Sequence, residues 1–476
     1  MKATEHLSLY ISVKFNYVSI VVIIISAIAL YMKYKREEAD KEKAYKDSIA
    51  NISSMEKFRI DVEPLLNNDI KKDYYVIVAD IDKFKVINTL YGYAKGDQVI
   101  AFLARMFQKG LRSGDFITRS YADNFIILKR AKNDAEVTEY LKMTFKTIDK
   151  TLENNKDKSE DNYRMLIKAG VYRIEADDDN ISSLIDKASM AKKLITHMHQ
   201  STYKLYNDVM RQKAIEEKNL ENEMETALEE NQFCIYLQPQ IDLDTKKIVS
   251  AEALVRWKHP EKGMIPPFKF IPVFENNGFI SKLDSFVWEE AIKTIVRWRD
   301  EKRIMVPIAI NLSRVDVEQP DVVSEIIGLM KKYDLGPKWI KLELTESMYS
   351  DENALIMERM QILRDFGFKI AVDDFGSGYS SLHLLKKMPI DILKIDKSFL
   401  DIDENMDIKD EIVIRDVVSM GKHLDLQIIV EGVETEIQSD FLEAIGVDIV
   451  QGYFYGRPMP LDEFEAALVK NHEGGR

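Results

Sequence analysis

The second half of the chain is predicted to be an α/β domain that folds as a TIM-like (β/α)8 barrel. It contains seven short runs rich in Ile, Val and Leu, which is typical of strands buried on both faces. Apart from a long first interval, the spacing suits one strand and one return helix per unit. Because the carboxyl ends of barrel strands gather at one mouth, we expect their terminal side chains to form one site. These are Glu252, Asn311, Glu343, Asp373 with Asp374, Lys394, Glu431 and Gln451.

Length and composition limit the possibilities. A chain of 476 residues has room for two or three domains, and 46% hydrophobic residues suffice for sizeable cores. The net charge of −13 argues against a surface for polymeric nucleic acid, which requires clustered Lys and Arg. Cys234 is the only cysteine, so an intramolecular disulfide is excluded.

A membrane-spanning helix is predicted over residues 15–32, after a short leader at 1–14. No charge lies between Lys14 and Lys33, and a spanning helix needs about 20 predominantly apolar residues. Basic residues follow at once, so the bulk of the chain is expected in the cytoplasm, anchored by a single pass in a bacterial inner or cell membrane. The alternative is a cleaved signal peptide with small residues at 27–29, which the continuing apolar run disfavours.

Charged, helix-forming stretches divide the rest of the chain. Residues 33–70 are expected to form a charged helical linker, and residues 206–226 a second linker helix. Between them, residues 71–205 alternate strand and helix signals, including a buried strand at 74–81 and a hairpin around Ala122-Asp123. The barrel domain is assigned to residues 227–476.

Residues 227–460 resemble an EAL domain, the family of cyclic di-GMP phosphodiesterases. The signature is Glu252-Ala253-Leu254, and the other blocks follow in the family's order: HPEKG, FIP, NLS, ELTE, DDFGSGYSS, KID, EGVE and QGYFYGRP. The resemblance implies hydrolysis of cyclic di-GMP to linear pGpG with two divalent cations, Mg²⁺ or Mn²⁺, which prefer hard oxygen ligands. It also implies a homodimer formed through this domain.

The resemblance assigns roles to individual residues. Glu431 would be the general base, and Lys394 would contact the attacking water or a phosphate oxygen. The metal ligands would be Glu252, Asn311, Glu343, Asp373 and Asp374, with Asp373 bridging. Substrate-binding or ligand-orienting roles would fall to Gln238, Arg256, Glu346 and Gln451.

The adjacent aspartates pose a geometric problem. On a regular strand Asp373 and Asp374 would point to opposite faces. Both can face one site only if the strand ends there, and the nearby Gly376 and Gly378 are consistent with such an end.

Residues 71–205 resemble a GGDEF domain, the fold of diguanylate cyclases, through DIDKFKVIN, YGYAKGD, LRSGD and RSYADNF. The signature turn departs from the family, because Tyr121-Ala122 stand for two glycines and Asn124 for an acidic metal ligand. Side chains at the glycine positions would intrude on a nucleotide, so cyclase activity is not expected.

A regulatory nucleotide site remains open in this domain. Asp80, Asn88 and Asp97 keep residue types compatible with binding GTP. Arg112 and Asp115 match the family's product-inhibition motif for cyclic di-GMP, with a surface salt bridge as the alternative.

The expected function is therefore a membrane-anchored phosphodiesterase with a degenerate GGDEF domain. One alternative is a catalytically silent receptor that binds cyclic di-GMP and signals to a partner. Another is a two-metal phosphodiesterase for a different nucleotide. A kinase or P-loop enzyme is excluded, because the chain has no Gly-rich loop with a strand lysine and no Walker A sequence.

Overall fold

The computed structural model describes residues 22, 24–38, 43–154, 165–196, 198–349, 354–376, 385–400 and 408–473. The chain divides into two compact units, Met1–Ile215 and Glu216–Arg476. The division falls within helix α7 (Asp208–Glu229), inside the linker helix predicted at 206–226.

The first described helix, α1, covers residues 24–38. The leader at 1–14 and residues 15–21 and 23 of the predicted membrane segment at 15–32 lie outside the described residues. Among the helices that are described, none is long and apolar enough to cross a membrane. The membrane segment therefore stays a prediction.

The first unit is built on a five-stranded sheet in the order β2-β3-β1-β4-β5. Its central strand β1 coincides with the predicted strand and is buried on both faces, because Tyr75 and Ile77 pack into one core and Val76 and Val78 into another. The predicted hairpin is β2–β3. The strands are β1 (Tyr74–Ile81), β2 (Phe116–Tyr121), β3 (Asn124–Arg130), β4 (Ile167–Arg173) and β5 (Thr202–Leu205).

Helices cover this sheet. They are α2 (Met55–Leu66), α3 (Phe84–Tyr91), α4 (Tyr93–Lys109), α5 (Asp134–Glu153) and α6 (Ile181–Lys193), with a 3-10 helix at Asp69–Asp73. The structure differs here from the charged linker expected over 33–70. Helix α2 buries Phe58, Val62 and Leu66 in the core of the first unit. Its spaced apolar residues thus form a packing face, and that part of the stretch belongs to the domain.

The second unit is a closed eight-stranded barrel. Its strands are β6 (Phe233–Asp242), β7 (Ile248–His259), β9 (Ile308–Asn311), β10 (Ile340–Thr345), β11 (Lys369–Phe375), β12 (Ile392–Ile395), β13 (Gln427–Val430) and β14 (Ile449–Gln451). The short β8 (Gly263–Ile265) pairs antiparallel with the last residues of β7. All seven predicted runs are strands, and from β7 to β14 they pair in parallel.

The barrel closes through a strand that the sequence analysis did not identify. Strand β6 pairs antiparallel with both β7 and β14. The arrangement is therefore a (β/α)8-like barrel with one reversed strand. A hairpin with β7 puts β6 antiparallel, which a strand-plus-return-helix repeat cannot anticipate.

Helices pack around the outside of the barrel, separated by loops and 3-10 turns at Pro337–Trp339, Glu346–Tyr349 and Lys397–Phe399. They are α8 (Pro267–Asn277), α9 (Ile280–Asp300), α10 (Arg314–Glu318), α11 (Val322–Lys332), α12 (Ala354–Phe366), α13 (Ile408–His423), α14 (Glu436–Ala444) and α15 (Leu461–Glu473). Alternation along each strand separates two environments. Leu342 and Leu344 of β10 face this helical layer, whereas Lys341 and Glu343 face the barrel interior.

Candidate functional site

Lys394 lies at the centre of the barrel mouth and is fully buried. It is the third residue of β12, so the strand ladder holds it in place. Its Nζ lies 2.7 Å from Glu343 Oε2, 2.9 Å from Asp373 Oδ1, 2.6 Å from Glu431 Oε1 and 3.5 Å from Glu252 Oε2. Side chains on or next to five strands thus converge on one point, as the sequence predicts. Glu252 is, however, the fifth of the twelve residues of β7 and does not stand at its end, because β7 continues in its pairing with β6 and β8.

Burial and the neighbouring charges shift the pKa values of the residues in this cluster strongly. Burial raises the pKa of Glu343 well above its usual range, although Lys394 opposes the shift. Burial also raises the pKa of Glu431 to about 8, again against Lys394. Burial by itself would lower the pKa of Lys394, but the surrounding carboxylates hold it well above its usual value. The ammonium is therefore a fixed positive charge.

Asp373 and Asp374 both face the mouth. Asp374 has a φ of +55°, and the register between β11 and β12 shifts between Val372 and Phe375. The strand thus continues to Phe375 through a bulge, where the sequence analysis expected it to end. The bulge turns Asp374 to the side of Asp373. Burial raises the pKa of Asp374, and the neighbouring Asp373 adds to this effect.

Asn311 stands at the end of β9, beside Glu252. Its Nδ2 donates to Glu252 Oε1 at 3.2 Å, and its backbone carbonyl accepts from Trp288 Nε1 at 3.0 Å. The amide oxygen of Asn311 is thereby turned away from Glu252 and can serve as a ligand.

Two glutamines orient Glu252 from β6 and β14. Gln451 Nε2 donates to Glu252 Oε2 at 2.6 Å and to Gln238 Oε1 at 3.1 Å. Gln238 Nε2 in turn donates to the carbonyl of Gly456. Gln451 therefore holds the carboxylate of Glu252 directly, and Gln238 positions Gln451.

The remaining predicted residues lie around the rim. Glu346 Oε2 accepts from the backbone N–H of Gly376 at 2.6 Å, which ties the end of β10 to the residue after β11. Gly376 has a φ of +98°, and a Cβ there would lie 1.9 Å from the ring of Phe399, so the turn requires glycine. Residues 377–381, which follow this turn, lie outside the described residues.

Arg256 is half-buried on β7, and burial lowers its pKa. Its guanidinium lies 5.4 Å from the ring centre of Tyr236, and its Nη1 donates to the backbone carbonyl of Val255. These contacts leave further N–H donors of the guanidinium for an anionic ligand.

Three buried polar residues beneath the mouth were missed by the sequence analysis: Gln240, Ser250 and Lys341. They lie two residues from Gln238, Glu252 and Glu343, so period-two alternation puts them on the same inner face. Lys341 Nζ donates to Ser250 Oγ at 2.8 Å. Burial lowers the pKa of Lys341 to about 8. The alternation could have identified them once the register of each strand was known.

The oxygen groups at the mouth fit divalent cations. Glu252, Glu343 and Asp373 form one group of carboxylates, and Asp373, Asp374 and Glu431 form another. In each group, ligand oxygens lie within 4.8 Å of one another. In the described part of the chain, Glu343 Oε1 is buried without a hydrogen-bond partner. Hard oxygen donors in this arrangement suit Mg²⁺ or Mn²⁺.

The predicted nucleotide residues of the first unit lie on three different elements. Asp80 is on β1, Asn88 on α3, and Asp97 is exposed on α4. Lys192 Nζ lies 2.6 Å from Asp80 Oδ2, and Lys168 Nζ lies 3.5 Å from Asp82 Oδ1. Ammonium groups thus stand against the carboxylates at the end of β1.

The signature turn of the first unit joins β2 to β3. Ala122 has a φ of +43°, in the left-handed region that favours glycine, and Tyr121 is 69% exposed beside it. Asn124 Nδ2 approaches the hydroxyl of Tyr121 at 3.4 Å. The turn therefore keeps a left-handed backbone conformation at Ala122, where the family has a glycine.

Asp115 is engaged within its own domain. Its side chain is 1% exposed, and Oδ2 accepts from Lys129 Nζ at 2.6 Å and from the backbone N–H of Arg112. Oδ1 accepts from the backbone N–H of Arg130. Arg112 is exposed and pairs with Glu136 at 3.0 Å. This geometry favours the salt-bridge alternative for Asp115 over direct ligand binding.

Two family models match the chain. The EAL domain model matches residues 221–458, which is half of the chain, and the model for the diguanylate cyclase GGDEF domain matches residues 44–200. The second match includes α2, in agreement with its packing in the first unit.

Curated relatives share both domains. Signaling protein YkoW of Bacillus subtilis is 31% identical over 92% of this chain and 54% of its own length. The bifunctional diguanylate cyclase/cyclic di-GMP phosphodiesterase MucR of Pseudomonas aeruginosa is 30% identical over 86% of this chain and 59% of its own length. The chain thus spans somewhat more than half the length of these relatives.

A solved structure resembles about half of this chain. The EAL enzyme Bd1971, in its cAMP and cyclic-di-GMP bound form, matches with a TM-score of 0.50 and 30% identity. The match covers 54% of this chain and 69% of that one.

Proposed function

Because this chain belongs to the EAL-domain family, with a GGDEF domain ahead of the barrel, we propose that it hydrolyses cyclic di-GMP to linear pGpG. The observation that carries the proposal is the barrel mouth, where Lys394 lies within 3.5 Å of four carboxylates that come from four other strands or the residues next to them. Core packing alone does not account for so many buried charges, since each one is costly to bury. MucR, whose name includes cyclic di-GMP phosphodiesterase, and the cyclic-di-GMP bound Bd1971 support the choice of substrate.

The mouth would hold two divalent cations, Mg²⁺ or Mn²⁺. Their ligands would be the oxygen atoms of Glu252, Asn311, Glu343, Asp373 and Asp374, with Asp373 shared because it belongs to both carboxylate groups. Such ions lower the pKa of a bound water and neutralise charge on phosphate oxygens.

The side chains would divide the remaining work. Glu431 would accept the proton of the attacking water, because its carboxylate faces the mouth beside Asp373 and Asp374, with Lys394 Nζ 2.6 Å from its Oε1. Lys394 is a permanent cation that orients the water or a phosphate oxygen. Arg256 has donors left for a phosphate of the substrate. Water adds to the phosphorus, one ring P–O bond breaks, and the leaving oxygen takes up a proton to become a hydroxyl.

The first domain would regulate the second and not synthesise cyclic di-GMP. Three features support this: the side chains of Tyr121 and Ala122, the uncharged Asn124, and the ammonium groups of Lys168 and Lys192 against Asp80 and Asp82. GTP is the proposed regulatory ligand. We further propose a homodimer through the EAL domain and a membrane anchor over residues 15–32, with both domains in the cytoplasm.

Purified full-length protein tests the proposed reaction. With cyclic di-GMP and Mn²⁺ or Mg²⁺, pGpG should appear on anion-exchange chromatography, and chelation should stop its formation. Glu252→Ala should reduce turnover at least tenfold, equivalent to about 1.4 kcal/mol of barrier. Glu225→Gln is the control, because this carboxylate is 66% exposed on α7 and pairs only with the surface residue Lys282 in the described chain.

Other outcomes have defined meanings. Binding of cyclic di-GMP without turnover would replace the enzyme by the silent receptor. Faster hydrolysis of another nucleotide would replace the substrate. Formation of cyclic di-GMP from GTP by the unaltered chain would overturn the regulatory assignment of the first domain.

A further inference from the structure

The barrel interior has a second layer directly beneath the mouth, and its two halves differ. One half is apolar, formed by Ala371, Ile392, Ile429 and Ile449. The other half is polar, formed by Gln240, Ser250 and Lys341, all of which are buried. Barrel interiors are normally filled by layers of bulky branched side chains. The polar half therefore requires an explanation that packing does not supply.

The polar half is a continuous line of hydrogen bonds that ends on a proposed metal ligand. Lys341 Nζ donates to Ser250 Oγ at 2.8 Å, and Ser250 Oγ donates to Gln240 Oε1 at 2.5 Å. Gln240 Nε2 donates to Gln451 Oε1 at 2.9 Å, and Gln451 Nε2 donates to Glu252 Oε2 at 2.6 Å. Every bond runs in the same direction, from the lysine to the carboxylate.

The two ends determine this direction. An ammonium can only donate hydrogen bonds, and an ionised carboxylate can only accept them. The hydroxyl of Ser250 and the side-chain amides of Gln240 and Gln451 can both donate and accept hydrogen bonds. Considered separately, each of these three groups could therefore adopt either orientation. Between Lys341 and Glu252, however, only one arrangement satisfies every member. Reversing the amide of Gln451 would set its oxygen against a carboxylate oxygen of Glu252.

We propose that Lys341 is a positioning residue, which acts through Ser250, Gln240 and Gln451 to hold Glu252 in the geometry that binds the metal. The proposal rests on the proposed function, because Glu252 has a ligand role only there. In the described part of the chain the lysine ammonium is held by the neutral oxygens of Ser250 and Gln240. Burying an ammonium without a contacting carboxylate is costly. The hydrogen bonds that lead from Lys341 to Glu252 supply a functional reason to keep a lysine buried at this position.

Interrupting the line at either of two points tests the proposal. Lys341→Met removes the donor at one end, and Gln240→Met removes the amide in the middle, each with a side chain of similar length. Mn²⁺ binding to metal-free, full-length protein is measured by titration calorimetry, together with the melting temperature. Loss of an outer partner of a metal ligand typically weakens metal binding 10–100-fold. Because these residues lie further out, we expect the Mn²⁺ Kd to rise about tenfold in each variant.

The control is Ile392→Val, a truncation in the apolar half of the same layer. It should lower the melting temperature without changing the Mn²⁺ Kd, as any loss of packing would. In the two line variants, saturating Mn²⁺ should restore kcat to near the parent value, since Lys341 and Gln240 do not touch the substrate.

The outcomes separate this inference from the proposed function. A parent protein that binds no Mn²⁺ overturns the metal site itself. A parent that binds Mn²⁺, with both line variants within twofold of its Kd, overturns the positioning role alone. Should Lys341→Met fail to fold, Gln240→Met decides the matter in the same way.

Discussion

Asp373 and Asp374 are consecutive residues of β11, yet both carboxylates face the same site. One oxygen of Asp373, one of Asp374 and one of Glu431 all lie within 4.8 Å of one another. Neighbouring side chains of a regular strand point to opposite faces. Here the left-handed backbone of Asp374, with a φ of +55°, and the register shift beside it form a bulge. One strand end thereby supplies two adjacent carboxylates to the same site.

The bulge predicts that two substitutions at position 374 have different effects. Asn adopts left-handed backbone more readily than most residues, so Asp374→Asn should fold normally and lose Mn²⁺ affinity. Asp374→Val should lose the ligand and also about 1–2 kcal/mol of stability, because a β-branched residue is strained at positive φ. Calorimetric Mn²⁺ titration and denaturant unfolding measure the two effects. Equal stability of both variants would argue against a strained bulge.

Lys394 should stabilise the metal-free protein. Lys394→Met leaves four carboxylates without their common counter-charge, and removing one partner of a buried charge cluster typically costs 3–5 kcal/mol. Mn²⁺ should recover much of that loss, so the rise in melting temperature on adding Mn²⁺ should be larger than in the parent. Lys369→Met is the control, since its lysine is 61% exposed in a surface pair and should contribute less than about 1 kcal/mol. An unchanged melting temperature in Lys394→Met contradicts the counter-charge role.

Glu431 should affect rate more than binding. Glu431→Gln keeps the shape of the side chain and removes the base, so cyclic di-GMP affinity should stay within a few-fold while turnover falls 10²–10⁴-fold. Equilibrium binding and single-turnover hydrolysis are measured on the same preparation. Glu436→Gln, on the exposed start of α14, is the control. If binding is lost while turnover per bound substrate is unaltered, Glu431 has another role.

The signature turn of the first unit should be strained at Ala122. Left-handed backbone costs roughly 1–2 kcal/mol for a residue with a Cβ, whereas glycine loses about 0.5–1 kcal/mol in chain entropy on folding. Ala122→Gly should therefore stabilise the first unit by up to about 1 kcal/mol, read as a higher denaturant midpoint. Ala101→Gly, inside α4, should destabilise it by about 1 kcal/mol. A lower midpoint for Ala122→Gly would show that the turn is not strained.

Local pattern was sufficient for much of the fold. Seven apolar runs became seven strands, and the predicted strand at 74–81 is β1, because burial on both faces leaves a signal within a few consecutive residues. Local pattern was not sufficient for α2, because its buried residues Phe58, Val62 and Leu66 are separated by exposed and half-buried residues, many of them charged. The four-residue spacing of these buried residues is visible in the sequence, but the high content of charged residues led to the prediction of a solvent-exposed linker.

The sequence by itself determined which polar side chains lie on or next to the apolar runs, because that association is visible within a few consecutive residues. Glu252, Glu343 and Lys394 could be named in this way. Only the tertiary structure decided how they meet: the antiparallel closure by β6, the bulge at Asp374, and the line from Lys341 to Glu252. Each of these depends on strand register and on contacts between residues far apart in the chain, and no local pattern contains that information.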